Sequence, residues 1–197
     1  LGGIFLTDRG LNIVIADDEP IIRMDLRELL EENGYAVTGE ASDGYDVLEI
    51  CRNVRPDLVL MDVKMPLLDG LSAAGCIKDE NLADAVILLT AYSDSEFVES
   101  ARNNGVSVYL VKPVDVRTLV PNIELAVTRG QEAKRLKVEI QAAEEKLEKR
   151  KIIERAKSHL MEKSNFSEQQ AFDYIRNVSK AKNISMGRVA EIILMKR

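Results

Sequence analysis

DLVLMDVKMPLLDG, residues 57–70, decides the fold. Its run Leu58–Met61 is short, continuously apolar and bounded by polar residues, as in a strand covered on both faces. Asp62 ends that strand, and Gly70 opens an amphipathic stretch over 70–80. The same grammar repeats on both sides. LNIVIA (11–16), AVTGE (36–40), AVILLT (85–90) and VSVYLV (106–111) read as further strands. Amphipathic helical stretches fall at 20–33, 43–54, 94–104 and 115–128, with Gly34, Gly44 and Gly105 in the connections. Five strand-then-helix units predict parallel strands joined by right-handed crossovers, a doubly wound five-stranded α/β domain over 11–128.

A net charge of −6 over 197 residues conceals an asymmetry. Residues 1–130 hold 11 Lys/Arg against 23 Asp/Glu, whereas 131–163 and 164–197 are each net +3. An acidic domain is thus joined to a mildly basic one, compatible with nucleic-acid binding at the C-terminal end. Charge runs are also ordinary solvated faces. No apolar run is long enough for a membrane span. The opening LGGIFLTDRG has neither the basic start nor the apolar core of a secretory signal, and no initiator Met, so it is left out of the fold reading. Cys51 and Cys76 lie 25 residues apart, and the chain has a single His. That excludes a thiolate metal site and fits reduced thiols in a cytoplasmic protein.

Asp17 and Asp18 follow the first strand, Asp62 ends the third, Thr90 ends the fourth and Lys112 follows the fifth. An open parallel sheet binds ligands beyond the carboxyl ends of its strands, and all five residues fall on that edge. Three carboxylates gathered there repel one another and ask for a cation. Their oxygens suit Mg²⁺, which keeps several waters and accepts phosphate oxygens. A carboxylate can attack a phosphoryl group to give an aspartyl phosphate. Phosphoryl transfer then needs mainly positioning and charge neutralisation, which a metal and Lys112 supply. Singly, each residue would read as a turn or surface residue; their joint placement carries the inference.

IVIADDEP (13–20), LVLMDVKMPLLDG (58–70), ILLTAYSD (87–94) and YLVKPVD (109–115) resemble the receiver domain of two-component response regulators. The resemblance covers about 11–128 and implies a flavodoxin-like fold. It implies that Asp62 is the phosphoacceptor. Asp18 would bind Mg²⁺ directly and Asp17 partly through water, with the backbone carbonyl of Lys64 as a further ligand. Thr90 would bond the phosphoryl group and shift on activation, and Tyr109 would change rotamer with it. Lys112 would pair with the phosphate, its bond to Pro113 being cis. A sensor histidine kinase would be the phosphodonor. Such a receiver assists its own phosphorylation and dephosphorylation and is not otherwise an enzyme.

Residues 131–163 contain neither Pro nor Gly. Ala133, Leu136, Ile140, Ala143 and Leu147 are spaced 3, 4, 3 and 4 apart, two heptads of an a/d seam. A dimerising stalk over 129–151 is expected, the alternative being a solvated connecting helix. Over 152–197, Ser167 with Gln170 forms a capping-box start. The helix after it, about 168–182, puts Ala171, Ile175 and Val178 on one face. A last helix from about Ser185 buries Met186, Val189, Ala190 and Ile193. With the end of the stalk these predict a three-helix bundle.

The stretch IIERAKSHLMEKSNFSEQQAFDYIRNVSKAKNISMGRVAEIIL (152–194) resembles an ANTAR domain, the RNA-binding output of certain antitermination regulators. Receiver and stalk together look most like the ethanolamine-utilisation antiterminator type. Lys157, Arg176, Lys180, Lys182 and Arg188 are candidate RNA contacts. Tyr174, at the edge of the apolar stripe, is a candidate for stacking on a base. Each also reads as an ordinary solvated charge or a core-flanking ring. The expected function is a response regulator that dimerises on phosphorylation, grips leader RNA hairpins and promotes antitermination. A DNA-binding output would need several base-reading side chains at the start of the last helix. Ser185-Met186-Gly187-Arg188-Val189 offers only Arg188. A protein-interaction or phosphate-sink regulator is the remaining alternative.

Overall fold

In a computed structural model, residues 10–91 and 104–195 are described. The helix expected over 94–104 lies, except for Asn104, outside them. The elements are β1 (Asn12–Ala16), α1 (Pro20–Glu32), β2 (Ala36–Ala41), α2 (Gly44–Val54), β3 (Leu58–Asp62), α3 (Gly70–Asp79), β4 (Ala85–Thr90), β5 (Val108–Val111), α4 (Val116–Ser164), α5 (Glu168–Lys182) and α6 (Met186–Met195). The chain divides into two compact units between Lys134 and Arg135.

The first unit is a parallel sheet in the order β2-β1-β3-β4-β5. The chain leaves β1 for β2 on one side and returns to β3 on the other. The carboxyl ends of β1 and β3 therefore flank the switch point where ligands bind in such sheets. Alternating residues of the central strands feed two cores. Ile13, Ile15, Leu58, Leu60, Ile87 and Leu89 face Leu26 and Leu30 of α1 and Leu119 and Ile123 of α4. Val14, Val59, Met61, Val86 and Leu88 face Val47 and Leu48 of α2 and Ala73 and Ile77 of α3.

Local signals set the helix ends. Pro20 opens α1, where its missing N–H costs nothing. Asp43 caps α2 by accepting from the Tyr45 and Asp46 amides, and Asp69 caps α3 by accepting from the Ser72 amide. Gly34 follows α1 at φ +84°, in the left-handed region that closes a helix with little strain in glycine.

Helix α4 runs unbroken over 49 residues. Leu119, Ile123, Ala126 and Val127 are buried in the first unit. Further along, Gly130 packs directly on the backbone carbonyl of Asp84, with no room for a Cβ. One turn on, Lys134 Nζ lies 2.7 Å from the Asp84 carboxylate.

Every residue of α4 from 131 to 151 is exposed, and the second unit takes up the helix from Arg135. Then Ala156 of α4, Ile175 of α5 and Val189 and Ala190 of α6 form a small buried core, supported by Ile152, Leu160, Val178 and Ile193. Helix α5 starts with a complete capping box. The Gln170 amide donates to Ser167 Oγ at 3.2 Å, and the Ser167 amide donates to Gln170 Oε1 at 2.8 Å. Asn183, at φ 52°, ends it in the left-handed conformation.

Candidate functional site

The carboxyl edge of the sheet gathers the expected cluster. Asp17 is fully buried after β1, Asp18 beside it is exposed, and Asp62 is half-buried at the end of β3. One carboxylate oxygen from each comes within 4.8 Å of the others. Lys112 Nζ bridges two of them, 2.6 Å from Asp17 Oδ2 and 3.2 Å from Asp62 Oδ1. Its peptide bond to Pro113 is cis. Asp18, Asp62, Lys64, Thr90 and Lys112 line an open pocket of about 300 Å³. Thr90 is buried at the end of β4. Tyr109, on β5, is partly exposed and is not among the lining residues.

The backbone fixes these side chains. The Asp17 amide donates to the Ala41 carbonyl at 3.2 Å, and Asp17 Oδ1 accepts from the Glu19 amide at 3.0 Å. Asp62 Oδ1 accepts from the Val63 amide at 2.9 Å. Val63 is tied to β4 through the Leu89 carbonyl, and the Lys112 amide donates to the Thr90 carbonyl. Burial pushes the Asp62 carboxyl above the usual carboxylate range, although Lys112 pulls the other way. Burial disfavours charge on Lys112 too, but hydrogen bonds and attraction from Asp17 and Asp62 outweigh it and raise its pKa. The result is a cationic lysine held between acids, one of which faces an open recess.

The oxygen-only donor set suits a hard divalent cation such as Mg²⁺, because carboxylates at this spacing need a shared positive charge. Asp17, Asp18 and Asp62, with the Lys64 carbonyl, are the residues that would hold it.

Sequence reasoning missed Arg23. Its Nη1 donates to the backbone carbonyl of Asp17 at 2.6 Å, and its Nε lies 3.4 Å from Glu40, which also pairs with Arg27. A guanidinium aimed at a main-chain oxygen leaves no charge pattern to read. Only its place at the end of the ADDEPIIR segment (16–23) hints at it.

In the second unit one expectation is corrected. Lys157, expected to face RNA, is buried, with Nζ 2.9 Å from Glu154 and 2.8 Å from Glu168. It ties α4 to α5 and is not a surface cation. Its two acidic partners hold its pKa above the usual lysine value. Arg176 pairs with Asp173 at 2.6 Å and stands 5.9 Å over the Phe172 ring. Arg188 pairs with Glu191 at 2.7 Å. The Asp173 oxygen that meets Arg176 is buried, whereas the more exposed Arg188–Glu191 pair holds by roughly 0–1 kcal/mol, so a phosphate can displace it. Lys180 and Lys182 are exposed at the end of α5. Tyr174 is 45% exposed, with its ring centroid 6.0 Å from that of Phe166 in an edge-on contact. Ala133, Leu136, Ile140, Ala143 and Leu147 all lie on exposed turns of α4. Among the described residues no helix is long and apolar enough to cross a membrane.

Comparison with known proteins agrees with this geometry. Residues 13–124 match the response regulator receiver domain, and residues 141–194 match the ANTAR domain. The chain is 45% identical over 182 residues to the transcriptional regulatory protein PdtaR of Mycobacterium tuberculosis, spanning 92% of this chain and 88% of that protein. A solved LuxR-family two-component response regulator from Aurantimonas sp. SI85-9A1 is 32% identical with a TM-score of 0.56, over 60% of this chain and 85% of that one. The signal receiver domain of a modulated diguanylate cyclase from Desulfovibrio desulfuricans G20 is 28% identical with a TM-score of 0.58, over 62% and 98%.

Proposed function

This chain belongs to the response regulator family, with a receiver domain followed by an ANTAR domain, and from that premise we propose a phosphorylation-activated regulator that binds structured leader RNA and promotes transcription antitermination. The observation that carries it is the acidic pocket in which Lys112 bridges Asp17 and Asp62, borne on the same chain as a basic output unit.

The donor is the phosphohistidine of a sensor histidine kinase. An Asp62 carboxylate oxygen attacks phosphorus, the new O–P bond forms, and the P–N bond breaks as the imidazole leaves. Positioning and charge neutralisation govern such transfers. The Lys112 ammonium, 3.2 Å from Asp62 Oδ1, supplies one positive charge beside the carboxylate. Thr90 lines the same pocket, and its hydroxyl is the donor for a phosphoryl oxygen. When bound, Mg²⁺ would neutralise further phosphoryl charge. The chain acts as a switch and not as an enzyme turning over a separate substrate.

The output side rests on two features. The seam from Ala133 to Leu147 is exposed throughout in a single chain, as a coiled-coil face is before its partner covers it. Phosphorylation favours that homodimer, and two output units then meet two hairpins of one leader. The second contact becomes intramolecular, which tightens binding by on the order of 10²–10⁴-fold without any new kind of contact. A nascent transcript as target places this action in the cytoplasm.

The test combines two measurements on the full chain. Mass spectrometry after treatment with a small-molecule phosphodonor and Mg²⁺ is expected to show one phosphoryl adduct in the wild type and none in Asp62→Asn. Gel shifts with a leader hairpin and with duplex DNA of equal sequence are expected to show tighter binding to the RNA. A persistent adduct in Asp62→Asn removes the phosphoacceptor assignment, and preference for the duplex removes the RNA assignment.

A further inference from the structure

A recess in the second unit shares no lining residue with the phosphoacceptor pocket. It is a groove of about 650 Å³ among the end of α4, α5 and α6. Half-buried Leu160, Val178 and Ile193 give it an aliphatic lining, and exposed Tyr174, Lys163 and Lys182 line it too. None of the described residues lining it is acidic. Val189 of the small core also lines it.

The two halves of this lining ask for different things. Lysines alone would serve to grip a phosphate backbone, and aliphatic side chains add nothing to that contact. Aliphatic side chains alone would suit an apolar partner, which has no use for cations beside it. A nucleobase with its flanking phosphates satisfies both, since its faces are apolar and its backbone is anionic. Tyr174 is suited to the same ligand. Phe166 holds its ring edge-on while leaving it 45% exposed.

We propose that this groove receives an unpaired base of the bound RNA, packed against Tyr174 and the aliphatic lining, with the adjoining phosphates on Lys163 and Lys182. The inference rests on the RNA-binding function proposed above and goes beyond it by assigning a site and a ligand. A paired stem cannot occupy the groove, so this contact reads the loop while the other cations of the unit hold the backbone.

A hairpin RNA selected by the full chain from a pool with a randomised loop provides the probe. Abasic substitution is walked along that loop, and 2-aminopurine is placed at each sensitive position. One position is expected to weaken wild-type binding by roughly 5- to 150-fold when abasic, the range for loss of one stacked base. Tyr174→Leu is expected to lose a similar factor on the intact loop and little more on the abasic one, because the two changes remove the same contact. Tyr174→Phe keeps the ring and retains most of the affinity. 2-Aminopurine emission at that position falls on binding wild type but not Tyr174→Leu. Lys182→Gln, on an exposed turn, lowers the salt dependence of binding by about one ion. Unchanged thermal melting shows that the variants fold. Failure to select any RNA overturns both this proposal and the RNA-binding function. Tight RNA binding that is indifferent to Tyr174 and to every abasic position overturns the base site alone. So does a Tyr174→Leu variant that changes the mass by light scattering with RNA affinity intact, which would assign the groove to a second copy.

Discussion

Replacing Gly70 by alanine would press a methyl group onto the strand end that carries Asp62. A Cβ built at Gly70 falls 3.1 Å from the Asp62 carbonyl carbon, 3.2 Å from Val63 Cα and closer still to the Asp62 carbonyl oxygen. All three neighbours are backbone, so no side chain can rotate away. The Gly70 amide meanwhile donates to the Val63 carbonyl at 2.9 Å and holds the segment in place. Ordinary contact near ~3.5 Å requires the strand end and the start of α3 to separate by about 1 Å. Two effects compete. Alanine in a helix gains up to about 1 kcal/mol over glycine, whereas forcing atoms into a packed site costs about 1–3 kcal/mol. The clash wins because the neighbours are fixed, and the melting temperature falls by several degrees. The larger effect is chemical. A misplacement of about 1 Å at a reacting group can cost on the order of 10²-fold in rate, and here the displaced backbone carries the phosphoacceptor. Phosphorylation from a small-molecule donor, followed by mass spectrometry over time, should slow by roughly 10- to 100-fold. A Gly70→Ala protein with wild-type melting temperature and phosphorylation rate would refute the reasoning.

Other perturbations follow from the same structure. Arg23→Met removes the donor to the Asp17 carbonyl and is expected to weaken Mg²⁺ binding on the order of 10-fold; calorimetric titration with an unchanged affinity would show the contact to be incidental. Ile175→Ala empties part of a core with few other buried residues and should cost about 2–5 kcal/mol. In scanning calorimetry the second unit should then melt earlier while the receiver transition stays put. Lys157 holds the Glu168 carboxyl below its usual value of 4.5. Because the folded pKa is the lower one, that stabilisation is complete above pH 4.5 and disappears as pH falls through the folded value. Glu168→Gln should abolish this acid-side dependence in urea titrations across that range, and an unaltered dependence would rule the pair out as its source. Cys51 is fully buried, and burial pushes its thiol up to about 12. In Cys76→Ser, Ellman's reagent should find no reactive thiol until the protein is unfolded.

The strands were legible because a buried parallel strand has to be continuously apolar, and Leu58–Met61 and Ala85–Leu89 are. Placing Asp17, Asp18, Asp62, Thr90 and Lys112 on one edge followed from topology alone, since parallel strands bring all their carboxyl ends together. Strand β5 is shorter than VSVYLV suggests. Gly105 turns the chain at φ +78°, and Ser107 still bonds to the Val86 carbonyl without extending the strand. Lys157 was read as a surface cation because its second acid, Glu168, is on another helix, beyond any local periodicity. Arg23 escaped for a different reason, as its strongest partner is a peptide carbonyl, which every residue possesses and no sequence pattern marks. The groove beside Tyr174 is a property of three helices together; the sequence showed only its aromatic and its lysines.

The close approach of Gly130 to Asp84 bears on how this receiver can be exchanged for another. A cut near residue 128 would sever α4 before Gly130 and Lys134 reach their partner. A chimaera built there joins a foreign helix to this sheet, or this helix to a foreign one. Any side chain larger than hydrogen at position 130 would strike the Asp84 carbonyl, and a neutral residue at position 84 would strand Lys134. These residues therefore have to travel as a set, and a graft that respects them keeps everything through Lys134 in one piece.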